Sequence, residues 1–335
     1  MNSLPVTIAL LLGSAAAIYL ACEVFVNGVE WVGRRLAVGE QATGSILAAI
    51  GTALPESVVT FVAVAFGASA AQKQIGVGAA LGGPLVLSTI AYATVGIVLI
   101  CCRTKLPKTA AIRNDFHSLS RDQGWFLVIF AAKIGLGLAA FAFKPWLGVL
   151  FLAAYGAYFW KEMRGTSDIE EEALEPLKLM PRVADPPTWA AVVQTVAALG
   201  VIFAASHLFV KQLDVLGPAL GLKPQLLALL LSPIATELPE TLNAVIWVRQ
   251  GRHRLALANI SGAMMIQATV PTAFGLFFTP WVLDPALLVG AAVTAVAVLA
   301  MFLAFRRGFI SRVFLAAMAG FYGLFAVLVL ALKLY

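Results

Sequence analysis

The sequence predicts an all-α integral membrane protein with about ten transmembrane helices in two inverted five-helix repeats. Composition is the first observation, because 61% of the 335 residues are hydrophobic, 12% are charged and the mean hydropathy is +0.92. The second observation is the recurrence of long apolar segments, and the third is an internal repeat that relates the two halves. So much apolar surface needs lipid around it, which excludes an ordinary soluble domain.

Ten apolar segments are each long enough to cross roughly 30 Å of hydrocarbon. The first segment contains Leu20-Ala21-Cys22, a faint likeness to a lipoprotein cleavage box. No basic residue precedes it, and we expect it to stay in the mature protein. The segments lie near residues 4–31, 43–66, 74–102, 124–142, 145–163, 188–213, 225–249, 254–280, 284–305 and 311–333.

A phrase containing Pro-Glu occurs twice within apolar segments. Gly51-Thr52-Ala53-Leu54-Pro55-Glu56 corresponds to Ala235-Thr236-Glu237-Leu238-Pro239-Glu240, so that residue i pairs with residue i + 184. The same offset pairs Phe25-Val26 with Phe209-Val210. Each half has five spans, an odd number, so the second half enters the membrane from the opposite side. The halves are therefore predicted to be inverted repeats.

A charged, proline-rich stretch joins the two halves and contains Glu170-Glu171-Glu172 and Pro186-Pro187. We predict a first repeat over residues 1–162, a cytoplasmic linker over 163–187 and a second repeat over 188–335. The acidic run is interpreted as part of a solvated linker, with cation sensing as the alternative.

Basic residues are distributed unevenly between the two sides of the predicted membrane. Of the 23 Lys and Arg residues, 17 follow odd-numbered spans, 5 follow even-numbered spans and Lys133 lies within a span. The positive-inside rule then predicts a cell-membrane protein with both termini outside. The net charge of +6 is explained by the anionic inner leaflet of the lipid bilayer, so no nucleic-acid partner is expected.

The two phrases place oxygen ligands inside apolar segments. Each proline removes a backbone donor, which is expected to break the helix and free carbonyl groups near residues 51 and 235. In each phrase a threonine precedes the glutamate by four positions and shares its helical face. Such oxygens suit hard cations such as calcium or sodium, and the alternative is a proline kink whose glutamate caps a neighbouring helix. The candidate ligands are Thr52, Glu56, Thr236 and Glu240.

A segment of small residues follows each phrase, at 76–84 and 258–263. Small side chains let helices approach closely in lipid, so these segments are expected to lie against the glutamate helices. Asn259, Ser261 and Gln267 offer further ligand oxygens, and interhelical hydrogen bonding is the alternative for each of them.

These features resemble the calcium/cation antiporter superfamily, which includes the sodium/calcium exchangers. The family's repeats carry a Gly-Thr-Ser-Leu-Pro-Glu phrase followed by Gly-Asn-Val-Ile-Gly-Ser-Asn, and the likeness covers nearly the whole chain. Thr52, Glu56, Thr236 and Glu240 match the family's ion-binding positions, and Asn259 matches the first Asn of the second motif. The resemblance implies electrogenic antiport of calcium and sodium without ATP or another cofactor.

The chain departs from the family pattern in both repeats. Ala53, Ala79 and Gly83-Pro84 stand where the first repeat has Ser, Asn and Ser-Asn. Glu237 and Ala263-Met264 stand where the second has Ser and Ser-Asn. The site therefore loses neutral ligands and gains a third carboxylate. Three crowded carboxylates repel one another, which favours a glutamate that carries a proton.

We predict a secondary active cation antiporter that exchanges calcium, or another divalent cation, for sodium or protons by alternating access. Glu56, Glu240 and Glu237 are the predicted metal ligands, with Glu237 as third ligand or proton carrier. An enzyme is not expected, because the spans show no paired nucleophile and base. The predicted cation-binding residues are Glu56, Glu240, Glu237, Thr52, Thr236 and Asn259.

Two other classes of protein remain as alternatives. The first is a non-transporting membrane sensor or scaffold that retains the exchanger fold, which the altered first small-residue motif favours. The second is a transporter of an anionic or organic solute, for which Lys133, on a peripheral span, is the candidate basic residue.

Overall fold

The computed structural model describes residues 3–35, 48–101, 116–163, 175–308 and 310–335, without the side chains of 48–53, 162 and 163. Each predicted apolar segment coincides with a helix or a run of helices. A π-helical turn, Leu87–Ala91, joins the helices Ala70–Val86 and Tyr92–Cys101, and a 3-10 turn, Lys144–Leu147, precedes the helix Gly148–Met163. The first half contains α1 (Leu4–Arg35), α2 (Ala48–Phe66), α3 (Ala70–Val86), α4 (Tyr92–Cys101), α5 (His117–Leu138) and α6 (Gly148–Met163).

The second half repeats this order with different interruptions. Asp284 and Ser311 cap two of its helices, because their side chains accept hydrogen bonds from Leu287 N (2.9 Å) and Phe314 N (3.0 Å). The helices are α7 (Thr188–Leu220), α8 (Pro224–Thr236), α9 (Leu238–Arg249), α10 (His253–Phe278), α11 (Pro285–Arg306), α12 (Arg312–Ala317) and α13 (Ala319–Ala331).

Six helical stretches of the described chain are long and apolar enough to cross a membrane. Many of their apolar side chains face outward, as lipid contact requires. These stretches are Leu4–Arg35, Ala70–Cys101, Thr188–Leu220, His253–Phe278, Pro285–Arg306 and Arg312–Ala331.

The helices of the two halves pack in symmetry-related pairs. The long helices α1 and α7 lie against each other, and α2 packs on α10 as α8 packs on α3. The contact between α4 and α12 likewise corresponds to the contact between α10 and α6. This pairing is the one expected of two repeats related by a pseudo-twofold axis.

Glycines allow α3 to lie directly on α8. A Cβ atom at Gly78 would collide with the carbonyl of Gln225, and one at Gly82 would collide with the carbonyl of Leu229. A Cβ at Gly76 would collide with α2 in the same way, at Val64. The first small-residue segment therefore lies against α2, which carries Glu56, and against α8, which ends next to Glu237. Close packing of this kind is what its composition predicts.

The part of the linker that the structure describes packs on α1 and α7. Leu177 is fully buried, Trp31 Nε1 donates to Glu175 O (2.9 Å), and Gln194 Nε2 donates to Asn27 Oδ1 (3.0 Å) beneath it. Most side chains of residues 175–187 are nevertheless exposed, as a solvated linker predicts, while Leu177 and Pro186 are buried. The acidic run at 170–172 lies outside the described residues.

Candidate cation-binding site

The Pro-Glu phrase of the second half interrupts a helix. The helix α8 ends at Thr236, Glu237 lies at the junction with φ −99° and ψ −3°, and α9 begins at Leu238. Pro239 falls in the first turn of α9, where its missing N–H is tolerated. The predicted break is therefore present, and it leaves the side chain of Glu237 at a helix end in the protein interior.

The phrase of the first half behaves differently. Pro55 lies inside α2, which continues without interruption from Ala48 to Phe66. The predicted break at this proline is wrong. The helix α2 is packed between α3 and α10. These contacts keep it helical although Pro55 cannot donate a backbone hydrogen bond.

Three glutamates from the two phrases are buried together. Glu56, Glu237 and Glu240 are 1%, 1% and 0% exposed. The carboxylates of Glu237 and Glu240 both act electrostatically on Glu56. Burying several like charges in an apolar interior is costly, and a transport protein retains them where they serve an ion path.

The carboxyl groups of Glu56 and Glu237 face each other within hydrogen-bonding range. Neither oxygen of Glu56 receives a hydrogen bond from a donor group of the described residues. Two ionised carboxylates have no hydrogen to share. Their approach therefore calls for a proton or a cation between them.

The side chain of Glu237 is held by two donors. Thr236 Oγ1 donates to Glu237 Oε1 (2.9 Å), and Gln267 Nε2 donates to Glu237 Oε2 (2.7 Å). The amide oxygen of Gln267 is buried and has no partner among the described residues. Glu237 is thus fixed in orientation, whereas oxygen atoms beside it remain available to a ligand.

The backbone at Gly83 forms the floor of this site. A Cβ atom there would collide with the Glu56 carboxyl and with Gln267 Oε1. The two oxygen-bearing side chains therefore converge on a position that only a glycine leaves open. Unpaired acceptor oxygens around one small volume are what a hard cation requires.

The remaining predicted ligands lie in different places. Thr236 belongs to the site, and the side chain of Thr52 lies outside the described residues. Asn259 precedes Gln267 by eight residues of α10, or about 12 Å of helix, so it does not reach the glutamate pair. In the described parts of the chain, no three His, Cys, Asp or Glu side chains come close enough to hold one metal ion. The three-glutamate ligand set therefore stays a prediction.

Ser261 forms hydrogen bonds between helices, which was the predicted alternative to ion binding. Its hydroxyl lies 2.9 Å from Tyr92 Oη and accepts a hydrogen bond of 2.9 Å from Gln123 Nε2. These bonds join α10 to α4 and α5. Gln267, in contrast, bonds across helices and also turns its free oxygen toward the site.

Sequence reasoning missed the roles of Gly83 and Lys133 at this site. Carried beyond the phrases, the 184-residue offset pairs Gly83 with Gln267, and it corrects the motif comparison, which set Gly83 opposite Ala263. One face of α5, the predicted peripheral span, is exposed, but Lys133 points inward and its side chain is fully buried. Its Nζ donates to Ala80 O on α3 (2.6 Å) and to Gln267 O on α10 (3.4 Å). A lysine inside an apolar segment was the available signal.

Buried acidic side chains at the contact of two inverted helical repeats define a membrane transport protein rather than an enzyme. The chain belongs to the sodium/calcium exchanger protein family, whose sequence profile matches residues 6–161 and 190–331. It is a multi-pass integral membrane protein.

Two relatives match over most of their length. The Alkalimonas amylolytica protein named "Putative antiporter CaxA" is 27% identical over 289 residues, covering 84% of this chain and 83% of the relative. The inner membrane protein YrbG of Escherichia coli (strain K12) is 26% identical over 252 residues, covering 72% of this chain and 70% of the relative.

Solved structures show the same fold at low sequence identity. The crystal structure of the H+/Ca2+ exchanger CAX superimposes with a TM-score of 0.78 at 18% identity, covering 97% of this chain and 82% of that one. The sodium-calcium exchanger NCX_Mj superimposes with a TM-score of 0.61 at 19% identity, covering 98% and 99%. The chain therefore has the exchanger fold with two exchanger repeats.

Proposed function

We propose that this protein is a secondary active antiporter that exchanges calcium, or another divalent cation, for sodium or protons by alternating access. The transported ions are its substrates, and the lipid bilayer is its surroundings. Glu56, Glu237 and Glu240 are the proposed divalent ligands, and Thr52 and Thr236 are the neutral ones. Gln267 replaces Asn259 as the ligand from α10, because its amide oxygen is directed at the glutamate pair.

The facing carboxyl groups of Glu56 and Glu237 carry this proposal. A site that needs either a proton or a metal ion between two acids binds the two in competition. Competition for one site, reached from each side in turn, is the physical basis of exchange. The names of CaxA and of the two solved exchangers agree with this chemistry.

Transport by the purified protein in vesicles tests the function directly. We expect calcium or manganese uptake driven by an imposed sodium gradient or by a pH gradient, measured in separate experiments. Uptake that ignores both gradients contradicts antiport. A protein that binds no cation by calorimetry is instead the non-transporting scaffold.

The central ligands are tested by removing charge while keeping shape. Glu56→Gln and Glu240→Gln are each expected to abolish exchange, because an amide cannot replace a carboxylate in holding a divalent ion. Glu23→Gln is the matched control, since Glu23 is half-exposed on α1 and its carboxylate contacts Lys178 at 3.5 Å. A normal rate in either central variant refutes that residue's assignment.

We place both termini outside the cell membrane, with the linker in the cytoplasm between a first repeat of residues 1–162 and a second of 188–335. The distribution of 17 basic residues after odd-numbered spans supports this orientation. Arg35 and the linker residue Asp185 lie in contact at 2.5 Å, which agrees with a common side. Labelling of a tag at either terminus by a membrane-impermeant reagent in intact cells tests it, and protected termini contradict it.

A further inference from the structure

Lys133 is a buried cation placed beside the carboxylate site. Its ammonium donates to two carbonyl oxygens, Ala80 O at 2.6 Å and Gln267 O at 3.4 Å. It also lies 5.7 Å from the ring centroid of Phe130 and 5.9 Å from that of Trp281. The indole Nε1 of Trp281 donates to Lys133 O (3.1 Å), which fixes the backbone that carries the lysine. The charge is therefore held in a built pocket.

The pocket by itself does not neutralise the ammonium. Carbonyl oxygens and aromatic faces stabilise a cation but carry no net charge, and an unpaired charge in an apolar interior is very costly. Gln267, whose backbone oxygen accepts from Lys133 Nζ, holds the Glu237 carboxylate through its side-chain amide (2.7 Å), and the negative charge of Glu56 attracts Lys133. Glu237 and Glu240 act in turn on Glu56. The positive charge of Lys133 therefore interacts with the same cluster of charges as the three glutamates.

We propose that Lys133 is a resident monovalent cation of the transport site and sets how many mobile cations the site holds. Three ionised glutamates carry three negative charges, and Lys133 cancels one of them. The two that remain match one divalent ion, or two sodium ions or protons. The lysine therefore occupies the place of one monovalent ion and reduces the number exchanged per divalent ion by one. This inference rests on the proposed function.

The count of displaced ions tests the proposal in equilibrium binding. Calcium binding to the wild-type protein in detergent is measured by calorimetry, over a range of sodium concentrations at fixed pH and in buffers of different ionisation enthalpy. We expect at most two monovalent ions, sodium and protons together, to be displaced per calcium bound. Displacement of three overturns the proposal without needing any variant.

Neutral variants then isolate the lysine. In Lys133→Met and Lys133→Gln, a mobile ion must replace the missing charge, so the logarithmic slope of calcium affinity against competing cation should rise by about one. Lys133→Arg keeps the charge and should keep the wild-type slope. An unchanged slope in a folded neutral variant overturns the proposal.

Lys144 offers a matched control. It is also buried, and its Nζ donates to Ala139 O (2.6 Å) and Trp281 O (2.9 Å), yet no site glutamate acts on it. Lys144→Met should therefore leave the slope unchanged, and an equal rise there would attribute the effect to any buried lysine and overturn the assignment. Absence of calcium binding in the wild-type protein is a different result, which refutes the proposed function itself.

Discussion

The two halves of the molecule repeat one fold but contribute different chemistry to the site. The second half provides oxygen atoms and donors from Thr236, Glu237 and Gln267. The first half provides Glu56, with bare backbone at Gly83 where the second half has its glutamine.

The buried lysine extends this difference. Glu237 pairs under the repeat offset with Ala53, and α11, the helix of the second half that corresponds to α5, contains no lysine, so each of these two charges occurs in one half only. Helix packing must match in both halves for inverted repeats to fit together. A single central site, in contrast, needs each ligand from one half only. Duplication therefore conserves the scaffold and leaves the ligand positions free to diverge.

Gly83→Gln, which gives the first half the side chain of the second, is expected to have the largest effect. The new Cβ collides with the Glu56 carboxyl and Gln267 Oε1, so exchange and calcium binding should be lost in vesicles and by calorimetry. Overpacking should also destabilise the fold by about 1–3 kcal/mol. Gly135→Ala is the control, because nothing lies within 4 Å of its added Cβ. A normal exchange rate in Gly83→Gln would show that the glycine is not required.

Glu237→Ala makes the opposite change and gives the second half the residue of the first. It removes a carboxylate and the acceptor of both Thr236 and Gln267. Because divalent affinity depends on ligand charge, we expect calcium to bind about tenfold more weakly or worse, measured by calorimetry. Glu23→Ala should bind calcium normally. Unchanged affinity in Glu237→Ala would restrict the site to the repeated glutamates.

Gln267→Leu tests the neutral ligand that the second half has and the first half lacks. Glu237 Oε2 loses its 2.7 Å donor, which should lower the free energy of unfolding by about 1–3 kcal/mol and weaken calcium binding together. Gln225→Leu is the comparison, since Gln225 Nε2 bonds Val282 O (2.9 Å) away from the glutamates. It should lower the unfolding temperature and leave calcium affinity intact. If Gln267→Leu and Gln225→Leu weaken calcium binding equally, the loss reflects reduced stability, and Gln267 has no specific role in binding.

Asp185→Asn is expected to have the smallest effect, because it lies on the linker outside both halves of the site. Its 2.5 Å contact with Arg35 involves side chains that are 75% and 30% exposed, so the pair contributes about 0–1 kcal/mol. Exchange should continue at the wild-type rate in vesicles. A lost exchange activity would show that the linker, rather than the site asymmetry, governs transport.

The sequence by itself determined the membrane class, the duplication and the positions of the two glutamates. Each follows from a local or periodic pattern: long apolar segments, a constant offset of 184 residues, and an acid beside a proline. It also predicted the helix break next to Pro239, which lies in the first turn of the new helix that begins at Leu238. At Pro55 the same local argument failed, because packing against α3 and α10 outweighs one missing hydrogen bond.

Only the tertiary structure decided which other residues share the site. Lys133 and Glu56 are far apart in sequence, and their proximity depends on how α5, α3 and α10 pack. The choice of Gln267 over Asn259 depends on the turn of α10 that faces Glu237, which a motif does not specify. Local pattern dictates where a helix forms and what it carries, whereas burial, hydrogen bonding and charge pairing arise between helices and are set by their mutual packing.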